Sequence, residues 1–192
     1  MAAARSPDPN AAALTPAQQA LVAVWEAHMR HEFATRSADE TMATMAEAPT
    51  VNHVPVLTGG VGRDQVRAFY ARSFIPQMPP DLEFVPVART VGAERLVDEL
   101  VARFTHTVRI DWMLPGVAPT GRRVEVAVVA IVEFQDGKVA HERIYWDQAS
   151  VLAQLGLLDA AALPVAGAES ARKVLDPSLP SNELLERARR GA

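Results

Sequence analysis

Four strand-like segments follow one another between residues 82 and 147 with no helical stretch among them, and this order limits the fold more than any other feature. The segments are 82–91, 96–112, 122–134 and 139–147, and Asp136-Gly137 between the last two predicts a two-residue hairpin. Helical periodicity is concentrated ahead of them. In "TPAQ", Thr15 is placed as a cap, Pro16 in the first turn, and Gln18 reaches back as a capping box. Leu21, Val22, Trp25, Met29 and Phe33 then mark one buried face. A second box, Ser37 to Glu40, starts a shorter helix carrying Met42 and Met45. "TVNHVPVLTGG" reads as an extended segment ended by glycines, and Val66, Phe69, Tyr70 and Phe74 restore helical spacing over Asp64 to Ile75. Helices ahead of antiparallel strands, without βαβ alternation, predict an α+β domain whose curved sheet wraps the helices.

The chain has 192 residues, enough for one domain with a core and tails. Residues 1–14, rich in Ala and Pro, read as a flexible arm, 15–160 as the domain, and 161–192 as an extension with a short helix after Ser181. A net charge of −4 with no long Lys/Arg block argues against nucleic acid or a membrane surface as partner. The first residues lack the features of a signal peptide and no segment is apolar enough to span a bilayer, so a cytoplasmic location is expected. The absence of cysteine excludes disulfides, thiolate ligands and Cys nucleophiles.

If Asp136 and Gly137 are the central turn residues, Phe134 opposes Val139, Val132 opposes His141, Ala130 opposes Arg143, Val128 opposes Tyr145 and Val126 opposes Asp147. His141, Arg143, Tyr145 and Asp147 then share a face with an apolar row and line a cavity. Val129, Ile131, Ile144 and Trp146 fall on the other face, an apolar patch that predicts a homodimer through the sheet with Trp146 near its centre. In the preceding strand Phe104, His106, Val108, Ile110 and Trp112 alternate on one side, which suits a pocket wall around one imidazole; a core histidine satisfied by hydrogen bonds fits the same pattern.

Asp147 precedes "QASVLAQLGLL" and is a good N-cap. A carboxylate in an apolar wall can also act as a base, and the two roles are compatible. His53 in "NHVP" fits a cavity mouth or a solvated position. His28 and His31 lie three apart on a helix, but spacing places no third ligand, so no metal is expected. "GGVGRD" lacks the Lys-Ser/Thr of a phosphate loop, and Ser73 and Ser150 lack nucleophile-elbow surroundings.

"WMLPGVAPTGRRVEV", "FQDGKVAHERIYWDQ" and "LAQLGLL" resemble the SnoaL-like polyketide cyclases of the NTF2-like superfamily, over about residues 15 to 160. The resemblance implies a cone-shaped barrel of bent mixed sheet around long helices, a deep apolar pocket and commonly a dimer. It also implies a reaction without metal or cofactor, in which a carboxylate at the end of the last strand removes a proton α to a carbonyl. Asp147 matches that position and His106 is the choice for the pocket histidine. His53, Trp112, Arg143 and Tyr145 complete the expected substrate-binding set, with Tyr145 also placed to steady an enolate. "AHERIY" stands where the family more usually has Glu-His, and the tail after 160 is additional.

The resulting expectation is a cofactor-independent cyclase, isomerase or lyase acting on a bulky apolar or aromatic carbonyl compound. A non-catalytic protein binding an apolar ligand, or a hydrolase or dehydratase using the same pocket, are the alternatives, since one fold hosts several reactions.

Overall fold

The computed structural model describes residues 13–191, so all but the last two residues of the expected arm lie outside it. Helix α1 spans Pro16–Phe33 and begins with the expected reciprocal box: Thr15 Oγ1 accepts from Gln18 N at 3.3 Å, and Gln18 Oε1 accepts from Thr15 N at 2.9 Å. Helix α2 (Ala38–Ala43) is capped by Ser37, whose hydroxyl accepts from Glu40 N. Met45 already belongs to strand β1 (Met45–His53), followed by β2 (Thr58–Val61) and α3 (Gly62–Phe69). A π turn, Tyr70–Phe74, and a 3-10 turn, Ile75–Gln77, extend α3.

Strands β3 (Glu83–Val91), β4 (Arg95–Thr105), β5 (Arg123–Gln135) and β6 (Lys138–Trp146) follow in the expected order. The six strands form one sheet in the order β2-β1-β6-β5-β4-β3, with β1 parallel to β6 and the other pairs antiparallel. Its inner face meets α1 and α3. Helices α4 (Gln148–Gln154), α5 (Ala168–Leu175) and α6 (Glu183–Gly191) complete the chain.

Two expectations about the strands fail. β4 ends at Thr105, seven residues short of its predicted end, because the backbone of His106 pairs back with Gly121 and Arg122 and closes a long loop. Within that loop Asp111 accepts from Gly116 N and the amide of Gln77, and Ile110 O accepts from Met113 N and Leu114 N. Val108, Ile110 and Trp112 therefore do not continue one strand face.

The second failure moves the site. Asp136-Gly137 do form the two-residue turn, with Gln135 opposite Lys138 and Phe134 opposite Val139, but Glu133 then pairs with His141, leaving Ala140 as an extra residue. This bulge shifts everything beyond it by one: Val132 faces Glu142, Ala130 faces Ile144 and Val128 faces Trp146. Glu142, Ile144 and Trp146 thus point inward. His141, Arg143 and Tyr145 point outward beside Val129 and Ile131. The four residues whose shared face motivated a dimer through the sheet are divided between its two sides.

Part of the outer face is covered by the chain itself. Helix α5 lies on β5 with Ala171 fully buried, and Arg172 pairs with Glu125 at 2.7 Å. Ser150 Oγ donates to Gly167 O, tying the start of α5 to α4. The part of the extension that forms α5 is therefore packed on the fold. No helix among the described residues is long and apolar enough to cross a membrane.

Candidate active site

Sheet and helices enclose a cavity with ≈ 80 Å³ of room for the centres of water-sized molecules. At one water per ~10–15 Å³ of such room it holds several waters or a compact ring-bearing ligand. Its walls are largely aromatic and aliphatic, among them Trp25, Phe33, Phe69, Phe74, Phe104, Trp112 and Trp146. The polar groups on the lining are Glu32, Glu142, Tyr70 and His53.

Glu32 comes from α1, where Leu21, Trp25, His28 and Glu32 form the buried stripe. That spacing of four, three and four residues is one helical face. Glu142 is delivered by the β6 bulge, and Tyr70 by the π turn after α3. His28 Nε2 lies 3.2 Å from an oxygen of each carboxylate and 3.2 Å from Tyr70 OH, while Tyr70 OH donates to Glu142 Oε1 at 3.1 Å. All four side chains are buried, yet none is left without a partner.

The protonation of His28 follows from its other nitrogen. Nδ1 is 2.7 Å from Thr44 Oγ1, whose single proton goes to Thr41 O at 2.6 Å. Thr44 must therefore accept, and Nδ1 carries hydrogen. Nε2, facing two carboxylates, carries hydrogen as well, so the ring is an imidazolium. Burial alone would push its pKa down, but the charges of Glu142 and Glu32 prevail and raise it to about 10. Trp25 stacks on the ring at 5.4 Å, a favourable neighbour for a cation. Burial pushes the Glu32 carboxyl up, and attraction to His28 recovers only part of that shift.

His28, Glu32 and Glu142 also form a possible metal-ligand set, with their donor atoms all within 4.8 Å of one another. A cation there would have to displace the Nε2 proton of a histidine held well above its ordinary pKa, with the Tyr70 hydroxyl among the ligand atoms. The hydrogen-bonding chemistry of the cluster fits a proton better than a metal ion.

The residues singled out from sequence do not converge. His53 and Trp112 line the cavity, their rings 5.4 Å apart. Asp147 is exposed and caps α4, accepting from Ser150 N at 3.1 Å, and it is absent from the cavity lining. His106 is buried at the neck of the long loop, with Nδ1 3.3 Å from Thr120 Oγ1 and Nε2 without a partner, and burial lowers its pKa. Arg143 pairs with Glu133 at 2.6 Å on the outer face, and Tyr145 is exposed there. Asp147 and His106 therefore do not share a cavity, and the mechanism built on them fails. Glu32 and Glu142 escaped the sequence reading, which set His28 aside as a metal ligand and gave Tyr70 only a helical face, although the stripe through Leu21 and Trp25 carries His28 and Glu32 with it.

A mixed sheet bent around an apolar cavity is the architecture of the NTF2-like fold, and the SnoaL-like polyketide cyclase family matches residues 15–155. The chain belongs to that family. No curated protein matches it. Among solved structures, a candidate SnoaL-like polyketide cyclase from Jannaschia sp. CCS1 is 22% identical, with a TM-score of 0.60 over 77% of this chain and 99% of that one. TsrD from Streptomyces laurentii is 18% identical at a TM-score of 0.58, covering 76% of this chain and 100% of that one. A candidate polyketide cyclase from Xanthomonas campestris pv. campestris is 17% identical at 0.54, over 72% and 98%. At these identities the likeness establishes the fold, and membership of the SnoaL-like cyclases rests on the family match.

Proposed function

We propose that this SnoaL-like protein is a proton-transfer enzyme in which the Glu32–Glu142 pair acts on the carbon α to a carbonyl of a compact aromatic substrate. One observation carries the reading: two buried carboxylates and a phenol stand on the wall of an otherwise apolar cavity, braced from behind by an imidazolium. A carboxyl whose pKa is raised by burial is a stronger base than a solvated one, and Glu32 is such a group. It takes the α proton and the C–H electron pair becomes the enolate, while Tyr70, whose one hydroxyl proton goes to Glu142 Oε1, holds that carboxylate in place on the same wall. In an isomerisation, the proton on Glu32 returns to a different carbon. In a ring closure the enolate carbon bonds to a second carbonyl carbon of the same molecule, and the proton goes to the resulting alkoxide. Both outcomes share the first step and require no cofactor.

Exchange of α hydrogens for deuterium in a panel of one- and two-ring aromatic ketones and β-keto esters, followed by NMR, tests that step. Glu32→Gln is expected to slow the exchange by roughly 10²–10⁴-fold, the scale of general base catalysis. Equal exchange in wild type, Glu32→Gln and Glu142→Gln at intact fold would remove the pair from the chemistry. A panel member that binds without exchanging would favour a ligand-binding role.

A further inference from the structure

His53 occupies the other polar position on the cavity wall, and its surroundings differ from those of His28. Among the described residues no carboxylate hydrogen-bonds to it. Phe69, Phe74, Trp112 and Trp146 surround the ring, with centroids 5.4–5.6 Å away. It is 3% exposed, and burial holds its pKa down at about 3, so the ring is neutral at physiological pH.

The tautomer is fixed by Thr58. Thr58 Oγ1 donates its single proton to Trp112 O at 2.6 Å, so toward His53 Nδ1, 3.2 Å away, it can only accept. Nδ1 therefore carries the hydrogen and Nε2 presents a bare lone pair. The local backbone is built to keep this contact. His53 pairs with Thr58 across the β1–β2 hairpin, and a Cβ at neighbouring Gly59 would stand 1.9 Å from Val51 O, so glycine alone fits there. The hydrogen bond to Thr58 is the ring's one hydrogen bond among the described residues. His53 Nε2 is thus a bare acceptor on a ring that lines an apolar cavity, where a hydrogen-bond donor on a bound molecule would be its partner.

We propose that His53 Nε2 accepts a hydrogen bond from a hydroxyl group of the substrate, so that the cavity selects hydroxylated aromatic carbonyl compounds over their deoxy and methoxy counterparts. A hydroxyl supplies the donor that Nε2 requires, whereas a hydrogen or a methoxy group at the same place supplies none. The sheet register sets the spacing. Val51 pairs with Glu142 and His53 with Ile144, so Glu142 and His53 sit on adjacent parallel strands offset by two residues, ~8 Å apart by strand rise and strand spacing. This inference rests on the cavity being the substrate site, but not on which carboxylate moves the proton.

The test compares 6-hydroxy-1-tetralone, 6-methoxy-1-tetralone and 1-tetralone as probes, by titration calorimetry on the full chain, with ¹⁵N NMR of the histidine rings. The wild type is expected to bind the hydroxy compound about tenfold tighter than the other two and to show a protonated Nδ1 and a bare Nε2 at His53. In His53→Phe, which keeps an aromatic ring but accepts nothing, the preference should vanish while 1-tetralone still binds. Equal affinity for all three probes in the wild type, binding of none, or an Nε2-protonated ring would each overturn the proposal. Hydroxyl-selective binding without α-hydrogen exchange would leave it standing and instead count against the proton-transfer reading.

Discussion

His28 and Glu142 lie 3.2 Å apart with side chains 0% and 4% exposed, and Glu32 closes the same cluster from one helical turn away. The folded protein therefore holds a proton on His28 up to about pH 10, whereas an unfolded histidine loses it near 6.5. A pKa raised on folding stabilises fully below the unfolded value, and this stabilisation is lost as pH rises through the folded one. Stability should fall by about 1.4 kcal/mol per pH unit across that window. The raised Glu32 carboxyl acts with the same sign, starting from its ordinary value of 4.5. Urea denaturation from pH 6 to 10 should show the decline in wild type and a flatter profile, from a lower start, in His28→Gln.

His53 works in the opposite direction. Its folded pKa of about 3 lies below the unfolded 6.5, so its contribution is complete above 6.5 and is lost as pH falls toward 3. Carboxylates held low by their partners, such as Asp81 and Glu133, add to the same acid limb. The part belonging to His53 is the difference between wild type and His53→Phe: wild type should lose stability relative to the variant as pH falls from 6.5 to 4.

Asp147 is expected to matter to the helix alone. Asp147→Ala removes the cap of α4 and should cost about 1 kcal/mol in urea denaturation, leaving α-hydrogen exchange unchanged. A loss of exchange by a factor of 100 or more in this variant, with the fold intact, would bring Asp147 back into the chemistry.

A divalent cation should gain little at His28, Glu32 and Glu142, because Nε2 must first release a strongly held proton. Melting temperatures at pH 7 are expected to be the same with EDTA and with a tenfold excess of Zn²⁺ or Mn²⁺. A rise of several degrees that disappears in His28→Ala would assign the cluster as a metal site.

The helix starts, the strand order and the Asp136-Gly137 turn were legible in the sequence because each rests on chemistry within a few residues. The site was not, for two physical reasons. A bulge at Ala140 leaves the turn untouched and inverts every side chain beyond it, so sound turn chemistry led to the wrong face for His141, Arg143 and Tyr145. Charged residues on a buried stripe, here His28 and Glu32, are masked by the apolar pattern that defines the stripe, and only Glu142 from a distant strand explains them. His53 and Trp112 reached the cavity, but Trp112 did so from a turn and not from a strand.

Helix α5 covers one end of the outer sheet face through two kinds of contact that differ in weight. Ala171 is fully buried against the sheet, and Val101 on β4 is also fully buried. The Arg172–Glu125 pair at 2.7 Å is more accessible, with the arginine side chain 55% exposed. An exposed ion pair contributes about 0–1 kcal/mol, whereas forcing a long charged side chain into a packed contact costs several times that. Ala171→Arg should therefore lower stability by about 2–4 kcal/mol in urea denaturation, and Arg172→Ala by no more than about 1 kcal/mol. The reverse order would mean that α5 is held to the sheet by its charges and not by packing.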